Sequence, residues 1–136
     1  MGKKEIKKAA GKFKQLSPVF IALGDENRQQ IIMILAEADI EGMNVSDITA
    51  RSHLSRPAIS HHLKILKDAG LISFYKKGTQ VFYYFYLTEK LAEIKELITT
   101  IEEIMSKIDT EELETKAPWM LNKKQKGVNL KTAILK

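Results

Sequence analysis

Arg56, Ser60, His61 and Lys64 bring a guanidinium, a hydroxyl, an imidazole and an ammonium group within nine residues. On a helix beginning at Arg56, Pro57, Ser60, His61 and Lys64 follow at spacings of 3, 1 and 3 and share one side. All but the proline can donate hydrogen bonds to base-edge acceptors or to phosphates. The first two turns of a helix lying in the major groove come nearest the bases. The chemistry this set suits is recognition of double-stranded DNA. Arg56, Pro57, Ser60, His61 and Lys64 are the residues expected to read bases.

The flanking sequence supplies what such a helix needs. Ser55 is placed to cap the first-turn amides, and Pro57 occupies a position whose missing N–H has no intrahelical partner. Ile59, Leu63 and Leu66, at spacings of 4 and 3, form an apolar side opposite the polar one. Gly70 provides the left-handed residue that ends the helix. A short helix over residues 45–52, packing Ile48, precedes it, as in a helix-turn-helix. Seven of the ten aromatic residues fall in residues 74–86, FYKKGTQVFYYFY. Strand formers on both sides of Lys77-Gly78-Thr79 predict a β-hairpin. Lys67 and the hairpin-tip residues Lys76, Lys77, Thr79 and Gln80, together with Ser55, are expected to touch the DNA backbone and set position rather than sequence.

Elsewhere, Ile6, Ala9, Ala10, Phe13 and Leu16 recur at helical spacing. Ser17-Pro18 then predicts a break, with a second helix from Pro18 to near Gly24. Asp25 is placed to cap the next helix, which carries Ile31, Ile32, Ile34 and Leu35. Thr88 is expected to cap a long helix over 89–108, with Ile94, Leu97, Ile101, Ile104 and Ile108 at spacings of 3, 4, 3 and 4. Leu91, Ile98 and Met105 widen that stripe beyond what a small core needs, so part of it is expected to pair with a second copy. The expected dimer contacts are Ile6, Phe13, Ile94, Leu97, Ile98, Ile101, Ile104, Met105 and Ile108. Residues 1–108 are read as one DNA-binding and dimerisation domain, and 109–136 as a charged, flexible tail.

At 136 residues and 44% hydrophobic content the chain suffices for one modest core. The net charge of +5 is unevenly spread. Basic stretches at 1–15, 51–80 and beyond 116 flank an acidic one at 89–115, which suits presenting one face to a polyanion. The absence of cysteine excludes disulfides, thiolate metal sites and thiol redox switches. No apolar run approaches the ~20 residues that span a bilayer, and the amino terminus lacks a signal-peptide core, so no membrane partner is expected and the compartment is read as cytoplasmic.

The run SRPAISHHLKILKDAGLI, with the hairpin and Tyr84-Phe85-Tyr86-Leu87 after it, resembles the ArsR family of bacterial and archaeal winged-helix repressors. LGDENRQQIIMIL resembles that family's second signature, in which an arginine follows a short acidic turn. The resemblance spans about residues 17–106. It implies a mainly α fold, a winged helix-turn-helix with a small β-hairpin wing and α-helical dimerisation elements at both ends. It also implies a homodimer binding an inverted-repeat operator in double-stranded DNA, released by an effector the sequence does not identify. The pattern further suggests His62 as a structural or phosphate-contacting residue.

Many family members sense metals through cysteines in the short helix or through His and carboxylates on the last helix. Here residues 43–48 lack thiols and residues 88–108 lack histidine. Neighbouring His61 and His62 point about 100° apart on a helix and cannot share an ion as i, i+4 histidines do. No metal and no cofactor are expected. No phosphate loop, nucleophile elbow or carboxylate pair suggests an enzyme. The alternatives are a winged-helix protein-interaction module that never touches DNA, and a repressor gated by a metal or small molecule at the dimer interface.

Overall fold

The computed structural model describes residues 2–120 and shows the order α1 (Lys3–Leu23), α2 (Glu26–Glu37), α3 (Val45–Ala50), α4 (Arg56–Asp68), β1 (Ile72–Lys77), β2 (Gln80–Phe85), α5 (Thr88–Ser106) and α6 (Thr110–Lys116). A single 3-10 turn follows at Pro118–Met120. The chain divides into two compact units, one comprising Gln15–Glu93 and the other the segments before and after it.

The larger unit is a helix-turn-helix with a wing. Its core is built from Leu16, Val19 and Ala22 of α1, Ile31, Ile32 and Leu35 of α2, Ile48 of α3, and Ile59, Leu63 and Leu66 of α4, closed by Leu71 and Ile72. The three short helices are each stopped or started by local chemistry. Asp25 accepts from the Arg28 N–H, Asn44 from the Asp47 N–H and Ser55 from the Ala58 N–H, satisfying amides that a helix leaves unpaired. Helix α4 ends in a Schellman motif. The Leu71 N–H donates to the Leu66 carbonyl and the Gly70 N–H to the Lys67 carbonyl, each at 3.0 Å, with Gly70 at φ 79°.

Strands β1 and β2 pair antiparallel, with Lys77 opposite Gln80, so Gly78-Thr79 is a two-residue loop. Positive φ at Gly78 alone is the sign pattern of a type II′ turn, whose twist matches that of the strands. The hairpin is anchored by Met43, which exchanges two backbone hydrogen bonds of 2.8 Å with Tyr83. The Tyr75 hydroxyl donates to the Glu41 carbonyl at 2.6 Å.

In the smaller unit the first part of α1 lies with α5. Ala9, Leu97 and Thr100 are buried there, and Lys12 pairs with Glu96 at 2.7 Å. Lys107 also pairs with Glu5. These contacts hold the carboxyls of Glu96 and Glu5 below the usual range, in each case first through the lysine hydrogen bond. The Thr100 hydroxyl is satisfied by the Glu96 carbonyl at 2.8 Å.

Four expectations are corrected. Ser17-Pro18 does not divide α1, which runs unbroken through the proline. The proline removes the N–H that would bond the Lys14 carbonyl, at a typical cost of about 3 kcal/mol. Full burial of Leu16 on one side of it and Val19 on the other offsets that cost, at roughly 1.5–3 kcal/mol each. Thr88 is the first residue of α5 rather than its cap, because the Leu87 carbonyl already accepts the Leu91 N–H. α5 stops at Ser106, so Ile108 lies beyond the helix. The segment read as a tail opens with α6, capped by Asp109 and carrying acids in its first turn and Lys116 in its last, which favours a helix electrostatically. The part of that segment after residue 120 lies outside the described residues.

Candidate nucleic-acid interface

The polar side of α4 lies open. Arg56, Pro57, Ser60, His61 and Lys64 are all exposed, whereas Ile59, Leu63 and Leu66 are each 0% exposed. The assignment of faces made from spacing is the one the fold adopts. Lys64 forms a loose ion pair with Asp68 at 3.4 Å, between exposed groups, and so remains available to a stronger anion.

Arg56 reaches back across the helix-turn-helix. Its Nη1 donates to the Ser46 hydroxyl of α3 at 2.9 Å. Ser46 and Arg56 also line, with Thr79 and Gln80 of the wing, a cleft of about 290 Å³. Hydroxyl, guanidinium and amide donors from α3, α4 and the hairpin therefore surround one cleft, an arrangement suited to a backbone phosphate. Ser46 was not legible as a site residue, since only packing of α3 beside the start of α4 brings it there.

Lys76, Lys77, Thr79 and Gln80 are exposed at the hairpin tip. Lys67 is half-buried, with its ammonium 5.1 Å from the Phe74 ring centroid, a cation–π contact joining α4 to the wing. The Ser55 hydroxyl oxygen accepts the Ala58 N–H at 3.3 Å as the helix cap, a bond that does not use its own O–H donor.

His62 departs from this outward set. Its ring is half-buried, and Nδ1 lies 3.3 Å from Nη1 of Arg28. Arg28 also donates from Nε to the Ala22 carbonyl at 2.8 Å and from Nη2 to the Ile21 carbonyl at 3.0 Å. Burial lowers the His62 pKa, with the Arg28 and His61 charges acting the same way and Asp25 opposing them. The Arg28 N–H holds the Asp25 carboxyl below its usual range. Sequence spacing could not pair positions 28 and 62.

Two elements are shared with known proteins. The sequence profile of the bacterial regulatory proteins of the arsR family matches residues 25–73, from the cap of α2 to the start of β1. An uncharacterized HTH-type transcriptional regulator of Methanocaldococcus jannaschii is 37% identical over 93 residues, which cover 68% of this chain and 98% of that protein. The chain belongs to the ArsR family.

A second relative is the transcriptional repressor SdpR of Bacillus subtilis, 40% identical over 68 residues, or 50% of this chain and 72% of that one. Among solved structures, an ArsR-like transcriptional regulator from Rhodococcus sp. RHA1 superimposes with a TM-score of 0.55 at 29% identity, covering 74% of this chain and 98% of that one. This ArsR-family chain is thus a transcriptional regulator with a winged helix-turn-helix fold, not an enzyme. No helix among its described residues is long and apolar enough to cross a membrane. Among the same residues no cluster of three or more His, Cys, Asp or Glu side chains is placed to hold a metal ion.

Of the expected dimer contacts, Ile6 and Phe13 are each 47% exposed and Ile98 is 50% exposed. Ile94, Ile101, Ile104, Met105 and Ile108 are intermediate. Leu97 is the exception. At 3% exposure it is consumed by the protomer's own packing and has little surface left for a partner.

Proposed function

We propose that this regulator is a homodimeric, sequence-specific DNA-binding repressor that places α4 in the major groove and the β1–β2 hairpin along the adjacent backbone. The observation that carries the reading is the division of α4 into a fully buried apolar side and an exposed side holding Arg56, Pro57, Ser60, His61 and Lys64. These five read bases. Ser55, Lys67, Lys76, Lys77, Thr79 and Gln80 hold phosphates, with Ser46 and Arg56 at the cleft between helix and wing. The exposed apolar side chains of α1 and α5 meet a second copy, and the two-fold dimer reads an inverted repeat with half-sites about 34 Å apart.

Fluorescence anisotropy on promoter fragments from near its own gene and on random duplex, between 50 and 200 mM salt, tests this. Specific binding that weakens steeply with salt is expected, since each neutralised phosphate adds about 0.9 to the slope. Lys76→Ala combined with Lys77→Ala lowers affinity about equally on both DNAs and flattens the slope by roughly 2. Ser60→Ala or His61→Ala instead reduces the preference for the specific site, by about 1–3 kcal/mol each. Equal losses on both DNAs for the helix variants would refute base reading by that face, and no binding to any duplex would refute the proposal.

A further inference from the structure

Arg28 is the most heavily engaged side chain described in the larger unit, and none of its contacts faces the exposed side of α4. Its guanidinium, with the side chain 11% exposed, spans three elements. Two of its nitrogens take the carbonyls of Ile21 and Ala22 in the last turn of α1, the Ile21 carbonyl also accepting the Gly24 N–H at 3.3 Å. Gln29 completes the closure by donating to the Leu23 carbonyl at 2.7 Å. The remaining arm of Arg28 meets Nδ1 of His62 on α4, and Asp25 lies 3.9 Å from the same guanidinium nitrogen.

This geometry fixes the state of the histidine. A guanidinium only donates, so Nδ1 must offer its lone pair and the ring proton must sit on Nε2. A second proton on His62 would remove the acceptor and leave two cations 3.3 Å apart in a partly buried place. The other charged groups facing the ring are Asp25, at the cap of α2, and His61 on α4 itself. Asp25 favours the proton. Its carboxylate is already engaged by the Arg28 N–H at 3.1 Å and by the guanidinium. His61 opposes the proton.

We propose that Arg28 and neutral His62 form a positioning pair that holds α4 against the end of α1, and that protonating His62 releases it, making operator binding acid-sensitive. His62 lies between the base-reading residues His61 and Lys64 in the chain, so displacing its ring moves the side that reads DNA. This rests on the DNA-binding reading above.

The sign of the effect distinguishes it from general electrostatics. Acidification adds positive charge to a protein as a whole, which on its own tightens binding to a polyanion. Release of α4 weakens it. For stability, the unfolded chain takes up the His62 proton near 6.5, and the folded chain only at lower pH. Between those values the unfolded state binds more protons, so stability is full above 6.5 and falls as pH drops through that window.

The test measures operator affinity of the full chain at fixed ionic strength from pH 7.5 to 5.5, each protein referred to its own value at pH 7.5. The wild type is expected to lose about tenfold, the linkage of a single proton. His62→Gln, which keeps an acceptor but cannot titrate, is expected to change by less than about twofold. His53→Gln, at an exposed histidine outside both the pair and the DNA-reading side, retains the wild-type loss. Arg28→Lys keeps the charge but cannot span two carbonyls and a ring, so its operator affinity is reduced already at pH 7.5. In parallel, urea denaturation should show the wild type less stable at pH 5.5 than at 7.5, a difference reduced in His62→Gln. An undiminished acid loss in His62→Gln, or tighter wild-type binding in acid, overturns the pair while leaving the DNA reading intact. Failure of the wild type to bind DNA at pH 7.5 overturns both.

Discussion

Ile98→Glu is expected to turn the proposed dimer into a monomer and to lower operator affinity about a hundredfold or more, while leaving the protomer folded. Ile98 is 50% exposed, whereas its neighbours Leu97 and Thr100, at 3% and 1%, are turned into the protomer. The substitution therefore spares the internal packing and places a carboxylate where a second copy would cover it. An ionised group buried without a partner costs several kcal/mol, enough to split an interface of modest size. Losing the second half-site contact removes the gain from linking two binding events, typically 10²–10⁴-fold. Sedimentation velocity and operator binding, with circular dichroism as the control for folding, measure this. A variant that stays dimeric would show that the outward side of α5 is not the interface.

A second large effect is expected from Gly42→Ala, which should destabilise the protein by about 3 kcal/mol or more. Gly42 has φ 77°, and a Cβ there would lie 2.2 Å from the Tyr83 carbonyl oxygen and 2.9 Å from its carbon. That carbonyl is fixed by the Met43 N–H at 2.8 Å, so it cannot yield without breaking the bridge that anchors the hairpin. Gly70→Ala makes an informative contrast. Its φ of 79° imposes similar backbone strain, but the nearest obstacle is the Cε of Lys90 at 2.7 Å, the movable end of a long side chain. A smaller loss, about 1–2 kcal/mol, is expected. Urea denaturation of the two variants compares them directly, and equal losses would show that backbone strain rather than the close approach to Tyr83 sets the cost.

Much of the recognition module was legible because its signals are local. Ser55, Pro57 and Gly70 bracket α4 through bonds that span at most five residues, and the buried and exposed sides follow from helical periodicity alone. The hairpin was legible because strand formers flank a glycine turn. The same local reasoning failed at Pro18. A proline favours a new helix when only neighbours are considered, and α1 continues through it because Leu16 and Val19 are buried on both sides. It failed at Leu97 too, where one apolar stripe had to be divided between core and surface. Periodicity shows that a side is apolar without showing what covers it.

The sequence by itself determined the family, the winged helix-turn-helix and which residues α4 turns outward, since caps, turns and periodicity act within a few residues. Tertiary structure alone decided that Arg28 meets His62 across 34 positions, that Ser46 joins Arg56 and the wing around one cleft, and that Gly42 lies against Tyr83. Those contacts depend on how separate elements pack, and packing selects partners by shape and unsatisfied hydrogen bonds that no spacing along the chain encodes.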